Sequence, residues 1–287
     1  MSGRLFPPGS HTSPDSQEAV LPGPPHEMRP MFLNRVIPFL MKDATATIRS
    51  KTVHIFGMGE SQAEQILHDM MTTSTNPTIA PYAKPVGLEV RVSAKAQSED
   101  AAIALIDPVV EEIQRRLGDV VYGVDVGNLQ TALVNELLAK GRTVATAESC
   151  TGGGVSRAIT DVPGSSKVFG CGVCTYANDM KEKLLGVSEE TLMQHGAVSA
   201  QTAQQMARGV RKLSGADIGI GITGLAGPGG GSEEKPVGLV YMAVDSDALT
   251  EVKRLTLSRG HKDQRDFIRR YATLHALSFL LTAAKKA

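Results

Sequence analysis

One stretch near the middle of the chain, AESCTGGG at residues 147–154, constrains the fold most. A β-rich run at 143–147 leads into it, and a helical pattern at 155–160 follows it. Glycines let the backbone approach a ligand closely, and the start of a helix presents unpaired N–H groups. The stretch predicts a strand-to-helix turn that either binds a phosphate or a developing oxyanion, or is a plain tight turn. It is not a P-loop, because no Gly-Lys-Ser/Thr follows the glycines.

Composition limits the classes of function. The chain has 287 residues, enough for about two domains. Lys+Arg and Asp+Glu number 30 each, so we expect no electrostatic attraction to nucleic acid or to an anionic membrane. No apolar run approaches the roughly 18 residues of a membrane span, and residues 1–16 lack the apolar core of a signal peptide. With three cysteines in the whole chain, we expect a cytoplasmic protein.

The pattern of the chain changes twice, which predicts three parts: 1–46, 47–125 and 126–287. Residues 1–19 are rich in Pro, Ser and Gly and are predicted to be disordered. Residues 20–28 predict a rigid turn because three prolines surround one glycine. The middle part predicts a small α+β unit. Its strands are expected at 52–56, 88–93 and 119–124, its helices begin at Ser61 and after Ser98, and 76–85 is a loop.

The third part alternates strands and helices and predicts an α/β domain whose sheet is covered by helices. Helix caps are expected at Asn128, at Asn178 or Asp179, at Ser188 and at Ser199. Strands are expected at 168–176, 217–223, 237–244 and 252–257, and a last helix at 263–284. A C-x-x-C sequence at 171–174 lies in a β-rich run, so we interpret its cysteines as buried core residues.

Five segments of the third part, in order, resemble the C-terminal domain of the competence/damage-inducible protein CinA. They are AESCTGG at 147–153, GSS at 164–166, TYAN at 175–178 with Lys181, HGAVS at 195–199, and GLAGP at 224–228 continuing through GSEEKPVG at 231–238. Stand-alone versions of this domain, also called PncC, are nicotinamide mononucleotide (NMN) deamidases. The resemblance implies hydrolysis of the NMN carboxamide to nicotinate mononucleotide and ammonia, and it implies a homodimer. Apolar faces at 129–138 and 274–281 are expected to form the dimer interface.

The earlier parts also resemble CinA. LPGPPHEM at 21–28 is similar to the end of its molybdopterin-binding-like domain, and 47–124 is similar to its KH-like unit. The resemblance therefore implies an α/β sandwich-type C-terminal domain preceded by a small α+β, KH-like domain. This unit shows no clear Gly-x-x-Gly clamp with flanking basic residues and has more acidic than basic side chains, so we do not expect it to bind nucleic acid.

Hydrolysis of a carboxamide needs a nucleophile, a base and a donor to the leaving ammonia. In Ser–Lys enzymes a neutral lysine is the base, which requires burial or a cationic neighbour to lower its pKa. The resemblance implies Ser166 as nucleophile, Tyr176 as proton relay and Lys181 as base. From the residues alone, we would favour a structural interpretation, in which Ser166 is a turn residue, Tyr176 packs in the core and Lys181 is a solvated helix lysine. Ser149 is the rival nucleophile; otherwise it holds the substrate or the oxyanion.

Eight further residues are candidates for substrate binding, because they lie in the two glycine-rich turns or at the last helix. They are Thr151, Gly152, Gly153, Thr223, Gly224, Ala226, Gly227 and Arg265. The guanidinium of Arg265 suits the nucleotide phosphate through its planar fork. We expect no metal and no cofactor.

Three functions follow as hypotheses. The first is a metal-independent NMN amidohydrolase. The second is a non-catalytic protein of the competence or DNA-damage response. The third, an ADP-ribose pyrophosphatase, would require the N-terminal domain that in the CinA family is linked to this activity, and most of that domain has no counterpart in this sequence.

Overall fold

A short helical segment opens the computed structural model, which describes residues 20–41, 46–258 and 264–286. Helix α1 is Pro25–Met31, a π-helical turn is Phe32–Val36, and α2 is Ile37–Leu40. The rigid turn predicted at 20–28 is therefore wrong in its second half, since Pro25 starts a helix, where its missing N–H costs nothing. The predicted disorder of 1–19 falls outside the described residues. Within those residues, no helix is long and apolar enough to cross a membrane.

The small domain is an antiparallel sheet with two helices. Its elements are β1 Thr47–Ile55, α3 Glu60–Thr73, β2 Thr78–Ala83, β3 Leu88–Ala96, α4 Glu99–Leu117 and β4 Val121–Val124. The strand order is β2-β3-β1-β4. Ser98 caps α4 as predicted, because its hydroxyl accepts a hydrogen bond from the Ala101 N–H. Ser61 does not cap α3, which begins one residue earlier, after Gly59.

The loop predicted at 76–85 is wrong, because β2 occupies most of it. Its Pro81 pairs opposite Val90 of β3. Proline has no N–H to donate, and β2 is an edge strand, where that loss is tolerated. The three prolines of the segment therefore concealed a strand.

The large domain is a five-stranded mixed sheet between helices. Its elements are α5 Leu129–Lys140, β5 Val144–Glu148, α6 Gly154–Thr160, β6 Phe169–Cys174, α7 Asn178–Leu185, α8 Glu189–His195, α9 Ala200–Ser214, β7 Ile218–Gly224, β8 Leu239–Asp245, β9 Thr250–Thr256 and α10 Gln264–Lys286. The strand order is β6-β5-β7-β8-β9. β5 is parallel to β6 and β7, whereas β8 runs antiparallel to β7 and β9.

Local capping signals of this domain are mostly confirmed. Asn128, Ser188 and Ser199 each accept a hydrogen bond from a first-turn N–H of α5, α8 and α9. The cap expected at Asn178 or Asp179 is wrong. Helix α7 begins at Asn178 itself, and the residue before it has no side chain that can cap.

Both faces of the large sheet are covered. Helix α9 packs against β7 closely because Gly221 has no side chain; a Cβ there would lie 2.2 Å from the Ala203 carbonyl oxygen. On the other face α5 packs against α10. The apolar residues expected to form a dimer interface are used in this contact and are buried within one chain: Leu129, Leu133, Leu137, Leu277, Leu280 and Leu281. A homodimer stays a prediction, but it needs another surface.

The cysteines of the C-x-x-C sequence are not core residues. Cys171 is half-buried and Cys174 is exposed, while Cys150 is buried. The reason is that β6 lies at the edge of the sheet, although its apolar sequence is typical of a central strand.

An aromatic contact forms part of the interface between the two domains. Phe56, 7% exposed, belongs to the core of the large domain, and its ring centroid lies 4.9 Å from that of His275 on α10. The Tyr271 hydroxyl of the same helix donates to the Pro85 carbonyl across 3.4 Å. Phe56 and His275 line a cleft of about 330 Å³, and two further clefts, of about 340 and 450 Å³, are lined by other residues of both domains. None of the three is lined by a predicted catalytic residue.

Candidate active site

The turn between β5 and α6 has the predicted strand-to-helix form. Gly152 and Gly153 both have positive φ, 60° and 89°. The buried carboxylate of Glu148 accepts hydrogen bonds from the Val155 and Ser156 N–H groups at 3.1 and 2.8 Å, and from the Ser156 hydroxyl at 2.7 Å. The chain's own carboxylate therefore satisfies the start of α6, and this helix end does not serve as an anion site.

Lys181 is a buried charged residue near the turn, with 1% of its surface exposed. Its Nζ donates to the carbonyl oxygens of Thr175 at 2.9 Å and Tyr176 at 3.0 Å. The same Nζ lies 3.5 Å from the hydroxyl oxygen of Ser149, which is 8% exposed. Burial disfavours the ammonium form and lowers the pKa of Lys181 from its ordinary value of 10.5. A lysine of this kind is a candidate base beside a serine hydroxyl.

Ser166 is not brought to Lys181. It is exposed, in the 3-10 turn Ser165–Lys167 that precedes β6, whereas Lys181 contacts the two residues that follow β6. A six-residue strand spans roughly 20 Å at about 3.3 Å per residue. The two groups therefore lie at opposite ends of the sheet. The role of Ser166 that the resemblance implied stays a prediction, and within one chain Ser149 is the serine whose hydroxyl lies beside this lysine.

Cys150 follows Ser149 in the turn and is a second possible nucleophile by its chemistry. It is 4% exposed, and burial raises the pKa of its thiol to about 12. The thiolate is the reactive form of cysteine, so Cys150 is not poised to attack at neutral pH.

The side chain of Tyr176 points away from Lys181 toward the last helix. It is 64% exposed, and its hydroxyl lies 3.3 Å from Nη2 of Arg265. Arg265 also donates from Nη1 to the Gly227 carbonyl at 2.6 Å. One turn further along α10, Arg269 donates to the Thr151 carbonyl at 3.3 Å. The two arginines thus join both glycine-rich turns to the end of β6.

The remaining predicted binding residues line the end of β7. Thr223 is 1% exposed, and its hydroxyl donates to the Ala197 carbonyl at 2.7 Å. Gly224 ends β7, and Ala226 is buried just beyond it. These positions support the second turn by packing and hydrogen bonding, and Gly227 presents its carbonyl to Arg265.

Three residues of this site were assigned no role from the sequence: Glu148, Thr175 and Arg269. Glu148 lies in the stretch AESCTGGG, and Thr175 immediately precedes the predicted Tyr176. Their positions in the sequence were therefore the signal that could have identified them. Arg269 shares a face of α10 with Arg265 at helical spacing. Across the described ranges, no cluster of three or more His, Cys, Asp or Glu residues is arranged to hold a metal ion.

Comparison with protein families matches both domains. Residues 127–284 match the CinA C-terminal domain, and residues 50–123 match the damage-inducible protein CinA KH domain. The chain is 51% identical over 261 residues to a CinA-like protein of Desulfovibrio desulfuricans, covering 91% of this chain and 61% of that protein. It is 44% identical over 267 residues to a putative competence-damage inducible protein of Clostridium perfringens, covering 93% and 64%. The chain thus spans somewhat over three-fifths of the length of these relatives.

Solved structures match the large domain. The crystal structure of competence/damage inducible protein CihA from Agrobacterium tumefaciens has 42% sequence identity and a TM-score of 0.52, covering 55% of this chain and 93% of that one. A CinA superfamily protein from Klebsiella pneumoniae has 33% identity and a TM-score of 0.51, covering 55% and 96%.

Proposed function

This chain belongs to the CinA family, and we propose that it is an amidohydrolase in which Ser149 is the nucleophile and Lys181 the base. One observation carries the proposal: a lysine with 1% exposure ends 3.5 Å from a serine hydroxyl. A buried ammonium without a counter-ion is costly, so a site that buries a lysine in this way favours the neutral amine.

The two carbonyl groups orient that amine. Neutral Lys181 has two N–H bonds and one lone pair. The carbonyl oxygens of Thr175 and Tyr176, at 2.9 and 3.0 Å, account for both N–H bonds. The lone pair is then left for the third neighbour, the hydroxyl of Ser149. This arrangement suits the transfer of the serine proton to the lysine as the serine attacks.

The proposed acylation step balances as follows. Ser149 Oγ bonds to the carboxamide carbon of the substrate, and its proton passes to Lys181 Nζ. The tetrahedral adduct then collapses, the C–N bond breaks, and Lys181 returns the proton to the departing nitrogen, which leaves as ammonia. The chain is left as an ester of Ser149, which water must hydrolyse.

The substrate proposed is NMN, which the resemblance implied. Arg265 supports it, because a guanidinium partly open to solvent beside a glycine-rich turn can bind a phosphate through charge-assisted hydrogen bonds. The exposed ring of Tyr176 is bonded to Arg265 rather than to Lys181, so we assign it to the nucleotide-binding wall and not to proton relay.

The experiment is an ammonia-release assay on NMN with purified protein, with and without EDTA. We expect one ammonia for each nicotinate mononucleotide formed, in both conditions, and none from the Ser149→Ala variant run in parallel. No ammonia from the wild-type protein, or activity that EDTA removes and a divalent cation restores, would refute the proposed reaction.

A further inference from the structure

Three hydroxyl groups form a row across the carboxyl ends of the parallel strands. Glu148 of β5 is in register with Cys174 of β6 and with Ile222 of β7. The next residue of each strand carries a hydroxyl, so Thr175, Ser149 and Thr223 follow in that order across the sheet. Residues in register on adjacent strands point to the same face. The proposed nucleophile therefore lies between two threonines.

The two outer hydroxyls differ in what they bind. That of Thr223 already donates to the Ala197 carbonyl. That of Thr175 is fully buried and has no hydrogen-bond partner in the part of the chain that the structure describes. Leaving a buried hydroxyl unpaired is unfavourable, and such groups in proteins generally bind an ordered water or a ligand. Thr175 lies beside Lys181, because its backbone carbonyl accepts a hydrogen bond from Nζ at 2.9 Å.

We propose that the Thr175 hydroxyl binds the water molecule that hydrolyses the Ser149 ester. The inference rests on the proposed amidohydrolase function and adds a residue to its second half-reaction. A bound water needs two or more polar partners, and Thr175 Oγ1 and Lys181 Nζ supply them at the edge of the sheet where Ser149 lies. Once acylation is complete, Lys181 no longer faces a serine proton and is free to act on this water.

The step is balanced. The water oxygen bonds to the ester carbonyl carbon while one of its protons passes to Lys181 Nζ. The bond from that carbon to Ser149 Oγ then breaks, and Lys181 returns the proton to Oγ. The carboxylic acid product leaves and loses its own proton to solvent, so the serine and the neutral lysine are restored.

Two variants separate the two half-reactions. Thr175→Val keeps the shape and the backbone carbonyl that holds Lys181 but removes the hydroxyl, and Thr175→Ser restores the hydroxyl. Rapid-quench measurement on NMN should show that Thr175→Val releases the first equivalent of ammonia at the wild-type rate. Its steady-state formation of the carboxylate product should fall roughly tenfold or more, the loss expected for one hydrogen bond to the reacting water. Thr175→Ser should recover most of that rate.

A covalent adduct gives a second readout. Mass spectrometry of Thr175→Val quenched during turnover should find the acyl group on the peptide that contains Ser149. As a control, Thr202→Val removes another buried hydroxyl. Thr202 lies in α9, and its hydroxyl donates to the carbonyl of Gly196, which precedes that helix. This variant should lower the melting temperature without changing the ratio of first-turnover to steady-state rates.

The outcomes also distinguish the two proposals. If wild-type protein releases no ammonia and forms no adduct, the amidohydrolase function itself fails. If wild-type protein turns over but Thr175→Val slows the first turnover and the steady state equally, Thr175 has only a structural role. Unchanged steady-state turnover in Thr175→Val would likewise overturn the assignment.

Discussion

Lys181 reaches Ser149 across 32 positions of the sequence, and its Nζ stops 3.5 Å from the serine hydroxyl oxygen. The lysine comes from α7, which follows β6, and the serine follows β5. Because these strands are parallel neighbours, their carboxyl ends meet at one edge of the sheet. The crossover between them thus places the proposed base beside the proposed nucleophile, which local sequence does not connect to it.

The first prediction separates the two candidate serines. Ser149→Ala should lower kcat on NMN by roughly 10⁴-fold or more, because the covalent step is lost. Ser166→Ala should stay near the wild-type rate, because Ser166 is exposed at the far end of β6. Steady-state ammonia release measures both. If the Ser166→Ala variant were inactive and the Ser149→Ala variant active, the nucleophile would be Ser166, as the resemblance implied.

The second prediction concerns pH. Lys181 acts as a base only when neutral, and burial lowers its pKa below 10.5. The neutral fraction grows as pH rises, so kcat/KM should increase with pH and level off above the lysine's lowered pKa. Lys181→Arg should be inactive at every pH, because a guanidinium stays protonated. A rate that falls as pH rises from 6 to 9, or turnover by Lys181→Arg, would contradict the assignment.

The third prediction tests the phosphate contact. Arg265→Ala should raise KM for NMN roughly 10- to 100-fold, the effect of losing hydrogen bonds to a charged group worth about 1.5–3 kcal/mol. The nucleoside without the phosphate should react equally poorly with both proteins. Arg270→Ala is the matched control, since this exposed arginine lies on another side of the same helix. Equal losses on nucleotide and nucleoside would mean that Arg265 shapes the turn instead.

The fourth prediction concerns stability. Glu148→Gln replaces one of two carboxylate oxygens that accept from the start of α6, and an amide nitrogen cannot accept in its place. Urea denaturation should show a free energy of unfolding lower by roughly 1–3 kcal/mol. Glu234→Gln, at an exposed position, should change it by less than about 0.5 kcal/mol. An unchanged midpoint for Glu148→Gln would show that the carboxylate does not stabilise this turn.

Features that depend on a few neighbouring residues were predictable from the sequence. The caps at Ser98, Asn128, Ser188 and Ser199 were correct because a cap is an interaction over three positions. Features that depend on a strand's place in its sheet were not. Pro81 favoured a loop where an edge strand forms, because proline is tolerated at the edge of a sheet. The apolar run of β6 favoured buried cysteines, but apolar residues of an edge strand need not be buried.

The sequence was enough to predict which segments form the candidate site, but not which of their side chains lie close together. The glycine-rich turn, Lys181 and Arg265 all follow from motif and chemistry. Which serine meets the lysine depends on strand order and direction, which no local pattern of Ser149 or Ser166 contains. The position of Thr175 beside Ser149 likewise depends on the register between β5 and β6.

Helix α10 contacts both the candidate site and the small domain. Arg265 and Arg269 lie near the start of this helix and contact the glycine-rich turns. His275 lies further along the helix, and its ring packs against that of Phe56 in the small domain. We therefore expect a nucleotide bound to the two arginines to stabilise the contact between His275 and Phe56 as well. By linkage, that contact should in turn strengthen nucleotide binding by the same factor. We expect saturating NMN to slow amide hydrogen exchange in β1 as well as around the site. Exchange in β1 that does not respond to NMN would show that the two domains are energetically independent.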